Sequence, residues 1–182
     1  MNEELKVLLM IADSLKKTKI AYVISGSMAS NYYTTPRMTR DIDIVVELKA
    51  KDISNFIKAF ESQFLFDPET ISEEVRKRGM FNLIHKEYII KADFILRKET
   101  DFQESVFRRR KKAVIEGKLV WVISAEDLVL AKLLWARESY SEMQLRDVEH
   151  LLKTVENLDR SYVEQWVPIL GLAKIYKKVN YE

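Results

Sequence analysis

The sequence predicts an α+β chain: a mixed β-sheet flanked by helices, followed by a C-terminal bundle of helices. Three observations carry this. Short segments of apolar and polar alternation recur up to about residue 123, segments of helical periodicity separate them, and beyond residue 124 only helical periodicity remains. At 182 residues the chain suits one core with a small appended subdomain. The boundary is expected to divide a core over 1–123 from a helical subdomain over 124–182 packed on it.

Leu5, Leu8, Leu9, Ala12 and Leu15 recur at helical spacing and predict a first helix over about 3–17. Residues 20–24 (IAYVI) read as a strand, stopped at Ser25-Gly26-Ser27, after which MASNYY reads as a short helix. In DIDIVVEL, alternation sends Asp41, Asp43, Val45 and Glu47 to one face and Ile42, Ile44, Val46 and Leu48 to the other. Ile53, Phe56, Ile57, Phe60 and Phe64 predict a helix over about 50–65. A shorter polar helix follows, with Pro68 near its start and Gly79 at its end. MFNLIH and EYIIKADFIL are two strands turning near Lys86 and Glu87, and AVIEGKLVWVI is a hairpin turning at Glu116-Gly117. Ser124-x-x-Asp127 resembles a capping box opening the first of the C-terminal helices.

Composition removes whole classes of chemistry. There is no cysteine, so disulfides, zinc-thiolate sites, thiol nucleophiles and iron–sulfur ligation are absent, and a reducing cytoplasm is the compatible compartment. Four glycines, Gly26, Gly79, Gly117 and Gly171, cannot spell a dinucleotide fingerprint or a phosphate loop. His85 and His150 are far apart and lack a serine-elbow context, which gives a hydrolase triad no support. Thirty basic against 28 acidic residues leave a net charge of +2, so attraction to polyanions must come from local clusters. No apolar run approaches a membrane span, and the N-terminus carries acids in an amphipathic pattern, unlike a signal peptide.

Asp41 and Asp43 are the sharpest chemical feature. Two residues apart on a strand, they share a face, and carboxylates so placed suit hard cations such as magnesium. The ordinary alternative is a solvated polar face. Asp93 falls on the polar side of a second strand with Lys91 beside it, so three acids can meet on one sheet, or Lys91 and Asp93 can form a local ion pair. Gly26-Ser27, where a strand hands over to a helix, offers backbone N–H groups and a hydroxyl to a phosphate, or serves as a tight turn with a cap. Arg37 and Arg40 lie between this turn and the acids, as phosphate partners or as solvated loop residues. Lys132 in VLAKLLWA is flanked by apolar residues; an inward amine there needs Asp147 or a nucleotide phosphate, unless it snorkels to water.

GS, thirteen intervening residues, DID, then an aspartate on a later strand: this ordered set resembles the nucleotidyltransferase superfamily of the DNA polymerase β type. In closer detail GSMAS, R37-x-T39-x-D41-x-D43, K91-x-D93, Asp127 with Lys132, and Arg146-Asp147 resemble the minimal AbiEii-type enzymes of toxin–antitoxin systems. The resemblance spans about residues 20–152. It implies a nucleotidyltransferase-like sheet and a magnesium-dependent transfer of a nucleoside monophosphate from an NTP, ATP among them, with release of pyrophosphate. Manganese is the alternative ion. It further implies that Asp41, Asp43 and Asp93 hold metal, that Lys132 joins them in catalysis, and that Gly26, Ser27, Arg37, Arg40, Lys91 and Asp147 bind the nucleotide. The acceptor would be tRNA, a protein or a small molecule such as an aminoglycoside, and a toxin or antitoxin would be the partner protein.

Two other functions stay open on the sequence: a binding module that keeps the fold without catalysis, and a DxD glycosyltransferase using a nucleotide sugar and manganese. The latter ordinarily needs more strand–helix units before its DxD than the single one present. The basic run Arg108 to Lys112, and a basic tail of Lys174, Lys177 and Lys178 interleaved with Tyr176 and Tyr181, are candidate polyanion contacts or simply solvated element ends.

Overall fold

The computed structural model describes residues 2–180, which fall into two compact units. One takes the chain up to Met28 and Met38–Val122; the other takes Ala29–Arg37 and the chain from Ile123 on. Tyr181 of the basic tail lies outside the described residues. Among the described residues no helix is long and apolar enough to cross a membrane.

In the first unit, α1 (Glu3–Lys17) is capped by Asn2, whose side chain accepts from the Leu5 N–H, and it buries Val7, Leu8, Ile11 and Leu15. The sheet has seven strands in the order β3-β4-β5-β2-β1-β7-β6. They are β1 (Tyr22–Ile24), β2 (Ile42–Val46), β3 (Phe64–Leu65), β4 (Met80–His85), β5 (Lys91–Leu96), β6 (Lys111–Ile115) and β7 (Lys118–Val122). β1 pairs antiparallel with β2 and parallel with β7, and β2 pairs parallel with β5, so the sheet is mixed. The α+β class expected from the alternation is what the chain adopts.

Alternation also sets which face is covered. Ile42, Ile44 and Val46 of β2 and Ala92, Phe94 and Leu96 of β5 are fully or almost fully buried. Against this face packs α3 (Ile53–Phe60), whose Phe56 ring lies edge-on to Phe94 at 5.4 Å; Phe81 of β4 stacks on Phe94 at 5.3 Å. Because the period of a strand is two, the same register sends Asp43 and Asp93 to the opposite face.

Two local expectations are corrected, and one helix joins the elements foreseen. The predicted helix over 50–65 is a 3₁₀ turn (Ala50–Asp52) followed by α3, and Phe64 belongs instead to β3, paired with His85. α4 (Pro68–Lys77) has its proline at the first turn, but Arg78, not Gly79, takes the left-handed position at its end, with φ 52°. Gly79 serves the Glu74 carboxylate, which occupies the space of a β-carbon there and accepts from the Met80 N–H at 3.1 Å. Helix α5 (Asp101–Arg109), capped by Thr100, was not expected at all; it buries Phe102, Val106 and Phe107 and carries Arg108 and Arg109 in its last turn. The hairpin β6–β7 turns through Glu116 (φ 48°) and Gly117 (φ 75°), as expected.

α2 (Gly26–Tyr33) begins in the first unit and ends in the second. The second unit otherwise consists of α6 (Ala125–Ser139), α7 (Glu142–Thr154), α8 (Arg160–Ile169) and the short α9 (Ala173–Tyr176), and α6 packs against α7, α8 and α9. The start of α6 departs from a reciprocal capping box. Ser124 Oγ accepts from the Asp127 N–H and donates to Asp127 Oδ2 at 2.7 Å, while Tyr162 donates to Asp127 Oδ1 at 2.7 Å. Asp127 is thus a fully buried structural acceptor.

Phe94 has aromatic neighbours from α3 and β4 and is itself fully buried. Phe94→Ala is expected to cost about 3–5 kcal/mol in urea unfolding. A loss below about 1 kcal/mol would mean that the cluster is not the core of this unit.

Candidate active site

The strand-to-helix turn and the first acid are built as one piece. The Ser25 N–H donates to the Asp43 carbonyl at 2.9 Å, which closes the turn against β2. Gly26 then sits at φ 60°, and a β-carbon on it would lie 1.9 Å from Asp43 Oδ2 and 2.6 Å from its Cγ. Glycine is therefore required twice, for the left-handed backbone and for the room that the Asp43 carboxylate occupies. The first turn of α2 follows at once with Ser27 buried, so the carboxylate lies beside a helix start.

Asp93 is brought to the same place by strand pairing. β2 and β5 run parallel with Asp43 directly opposite Asp93, and β4 adds Asn82 opposite Asp93 on its other side. Asp43, Asp93 and Asn82 thus stand abreast on three adjacent strands. Asn82 is a polar group that the sequence reading missed, although the alternation of MFNLIH puts it on this face. Asp41 is exposed immediately before β2, with the parity of Asp43, and Arg40 is exposed beside it.

One cation already answers this cluster. Lys91 Nζ donates to Asp93 Oδ2 at 2.8 Å. That hydrogen bond raises the Lys91 pKa, its partial burial opposes the rise, and the charges of Asp93, Asp41 and Asp43 add to it. The local ion pair foreseen from the sequence forms, and the field of all three carboxylates falls on its ammonium. Hard oxygen donors, a glycine cradle and a cation in their shared field fit a site for a magnesium-like ion. Among the described residues no three acidic or histidine side chains stand together as a metal-ligating cluster.

The second unit holds a separate polar group. Lys132 on α6 is 2% exposed; its Nζ donates to Asp147 Oδ2 at 2.7 Å and to Gln144 Oε1 at 2.9 Å, both on α7. Arg37 grips the same carboxylate in a fork, Nε to Oδ1 at 3.2 Å and Nη2 to Oδ2 at 2.9 Å. The Arg37 backbone is itself clamped by the Asn31 amide, which donates to its carbonyl at 2.8 Å and accepts from its N–H at 3.0 Å. Burial alone would raise the Asp147 pKa; the hydrogen bonds from Arg37 and Lys132 outweigh it and hold the carboxyl below its ordinary value. Asn31 and Gln144 carry no sequence signal beyond being polar, because their partners lie in other elements.

Other candidates scatter. His85 is buried, its Nδ1 accepting from the Glu87 and Tyr88 N–H groups, and burial lowers its pKa; His150 is exposed on α7. In the tail Lys174, Lys177 and Lys178 are exposed, whereas Tyr176 is buried.

The depressed Asp147 pKa fixes a pH dependence. Its contribution to stability is complete above the unfolded value of about 3.9 and is lost as pH falls through the lower folded value. Asp147→Ala leaves Lys132 buried without this carboxylate and is expected to cost about 3–5 kcal/mol at pH 7. In urea midpoints the gap between parent and variant should narrow at the acid end, and a gap independent of pH would contradict the ion pair.

No family model and no curated protein matches the chain. Solved structures do. The lincosamide antibiotic adenylyltransferase LnuA, bound to lincomycin, superposes with a TM-score of 0.56 at 18% identity, covering 85% of this chain and 98% of that one. ANT(2″)-Ia, in complex with adenylyl-2″-tobramycin, gives 0.59 at 12% identity, covering 93% and 98%. An antigenic nucleotidyltransferase-like protein from Paracoccidioides brasiliensis gives 0.55 at 17% identity, covering 94% of each chain. At these identities the likeness is one of fold, and the fold of this chain is that of the nucleotidyltransferases.

Proposed function

We propose that the chain is a nucleotidyltransferase that moves a nucleoside monophosphate from an NTP to an acceptor hydroxyl and releases pyrophosphate. The observation that carries the proposal is the Asp43–Asp93 register on adjacent parallel strands, set against a glycine turn that a side chain could not occupy. Two of the similar structures contain an adenylyltransferase with its antibiotic and an adenylylated aminoglycoside, which supports a small-molecule hydroxyl as acceptor.

In this reading an acceptor oxygen forms a bond to the α-phosphorus as the bond from that phosphorus to the bridging oxygen breaks, and the electron pair leaves with pyrophosphate. Asp41, Asp43 and Asp93 would hold magnesium, which supplies charge neutralisation at the phosphates. Gly26 and Ser27 would receive the triphosphate at the start of α2, where N–H groups and the helix dipole favour anions. Asp93 would also take the proton of the acceptor hydroxyl once its Lys91 ammonium moves away. Arg40 is free to reach a phosphate from its exposed loop position. Within the second polar group Arg37, whose side chain keeps a third of its surface exposed, would be the member to meet a phosphate, with Asp147, itself held by Lys132, orienting it.

A second reading, a nucleotide-binding module without turnover, is favoured by one observation: Lys91 already pairs with Asp93. Titration calorimetry with ATP, CTP, GTP and UTP plus magnesium, alongside transfer of labelled α-phosphate, separates the two.

Asp43→Asn and Asp93→Asn are each expected to lower transfer by about a hundredfold or more, the scale seen when one electrostatic contributor to such a transition state is removed. The melting temperature should stay level or rise, since like charges are taken from one face. Full turnover in both variants would refute the assignment. Gly26→Ala should cost at least about 1–2 kcal/mol for the left-handed backbone alone and abolish transfer with it. An alanine variant with parental stability and activity would show that the turn is not shared with Asp43.

A further inference from the structure

We propose a second binding site in the first unit, a cationic cleft that holds a single-stranded nucleic acid through its phosphates and one base. The cleft, a cavity of about 290 Å³, opens where the end of α1 meets β1 and β7, and Lys16, Lys19, Tyr22, Arg110, Leu119 and Trp121 line it. It sits at the start of β1, whereas Asp43 lies beyond that strand's other end, opposite Ser25. The inference needs neither metal nor triphosphate and goes beyond the transfer reaction proposed above.

Two stretches about ninety residues apart in sequence converge there. Residues 16–19 read KKTK and 108–112 read RRRKK, and neither contains an acid. Asp13, whose charge is felt at Tyr22, is already paired with Lys118. The cations are held in place. The Arg110 guanidinium lies 4.6 Å from the Trp121 ring centroid and 5.6 Å from that of Phe107, and Lys112 Nζ lies 5.4 Å from Trp121. Arg110 Nη1 donates to the Phe107 carbonyl at 2.7 Å, while its Nε is buried with no hydrogen-bond partner.

The backbone fixes where Lys19 stands. The Ile20 N–H donates to the Leu15 carbonyl and the Lys19 N–H to the Lys16 carbonyl, so α1 ends in a motif whose left-handed position is ordinarily glycine. Here a lysine takes it, at φ 57°, on the rim of the cleft.

The cavity is at the lower end of the ~300–1,000 Å³ span of small-molecule sites, so it admits about one nucleotide. The charge does not stop there. Lys111 and Lys112 are exposed on β6, an edge strand, and extend the positive track out of the cleft. A compact anion would not use that extension. A strand of phosphates would, and the Arg110 guanidinium over Trp121 offers a flat cationic surface for a base.

The test is fluorescence anisotropy of a labelled single-stranded oligonucleotide, about twelve nucleotides long, against the full chain at several salt concentrations. Lys16, Lys19, Arg110, Lys111 and Lys112 on five phosphates predict a log–log salt slope of about −3.5, from ~0.7 per phosphate in single strands. The double variant Lys16→Gln, Lys19→Gly removes two of them; its slope should fall to about −2 and its affinity at low salt about tenfold or more. Its thermal stability should be unchanged or higher, because glycine relieves the left-handed position. Lys174→Gln, Lys177→Gln in the exposed tail should bind as the parent does. Absence of saturable binding, a parental slope in the double variant, or loss of binding in the tail variant would each overturn the inference. So would displacement of the strand by ATP or polyglutamate as effectively, per charge, as by unlabelled strand.

Discussion

The parallel pairing of β2 with β5 is the constraint on which the candidate site depends. It is not enforced by the acids, which repel one another, but by the opposite face: Ile42, Ile44 and Val46 beside Ala92, Phe94 and Leu96, closed by Phe56 and Phe81. A slip of one residue would move those side chains to the wrong side. The hydrophobic face therefore holds two carboxylates abreast that would otherwise separate, and strain of this sort, maintained by packing elsewhere, is what lets a fold concentrate charge. Gly26 completes the arrangement, since the close approach of the turn to Asp43 exists only because no side chain stands between them.

Much of this was legible in the sequence because it is carried by short-range periodicity. Alternation in DIDIVVEL and KADFIL gave the strands, the faces and the sharing of a face by Asp41 and Asp43, and the apolar flanks of Lys132 pointed to an inward amine. Which strands lie side by side depends on the whole sheet order, and alternation says nothing about it. The Asp43–Asp93 register and the place of Asn82 beside them are therefore properties of the fold.

The errors have equally definite causes. Phe64 continues the helical spacing of Phe56 and Phe60, but its ring meets Phe60 and His85 from a strand, so tertiary packing overrode the local period. Gly79 looked like a helix stop, yet the space it leaves is filled by Glu74, and Arg78 turns the chain. α5 was overlooked because its polar residues and the RRRKK run masked Phe102, Val106 and Phe107 at helical spacing. The convergence of that run with KKTK joins residues far apart in sequence, and no local pattern reports it.

The two groups of aspartates differ in how their charge is answered, and that difference says where a cation is needed. Asp147 is nearly buried and is met by two cations, Lys132 at 2.7 Å and the Arg37 fork, which lower its pKa despite its burial. A further cation there would compete with groups already in contact. Asp41, Asp43 and Asp93 act together on Lys91, whose side chain is nearly half exposed and therefore cheap to displace into water. An exposed ion pair of that kind is worth on the order of 1 kcal/mol or less, whereas a divalent ion bound by several carboxylates at contact distance gains far more. In the transferase reading a metal ion would take the place of this exposed ammonium on the sheet face beside Gly26, whereas the buried pair that orders Arg37 leaves no such exchange open.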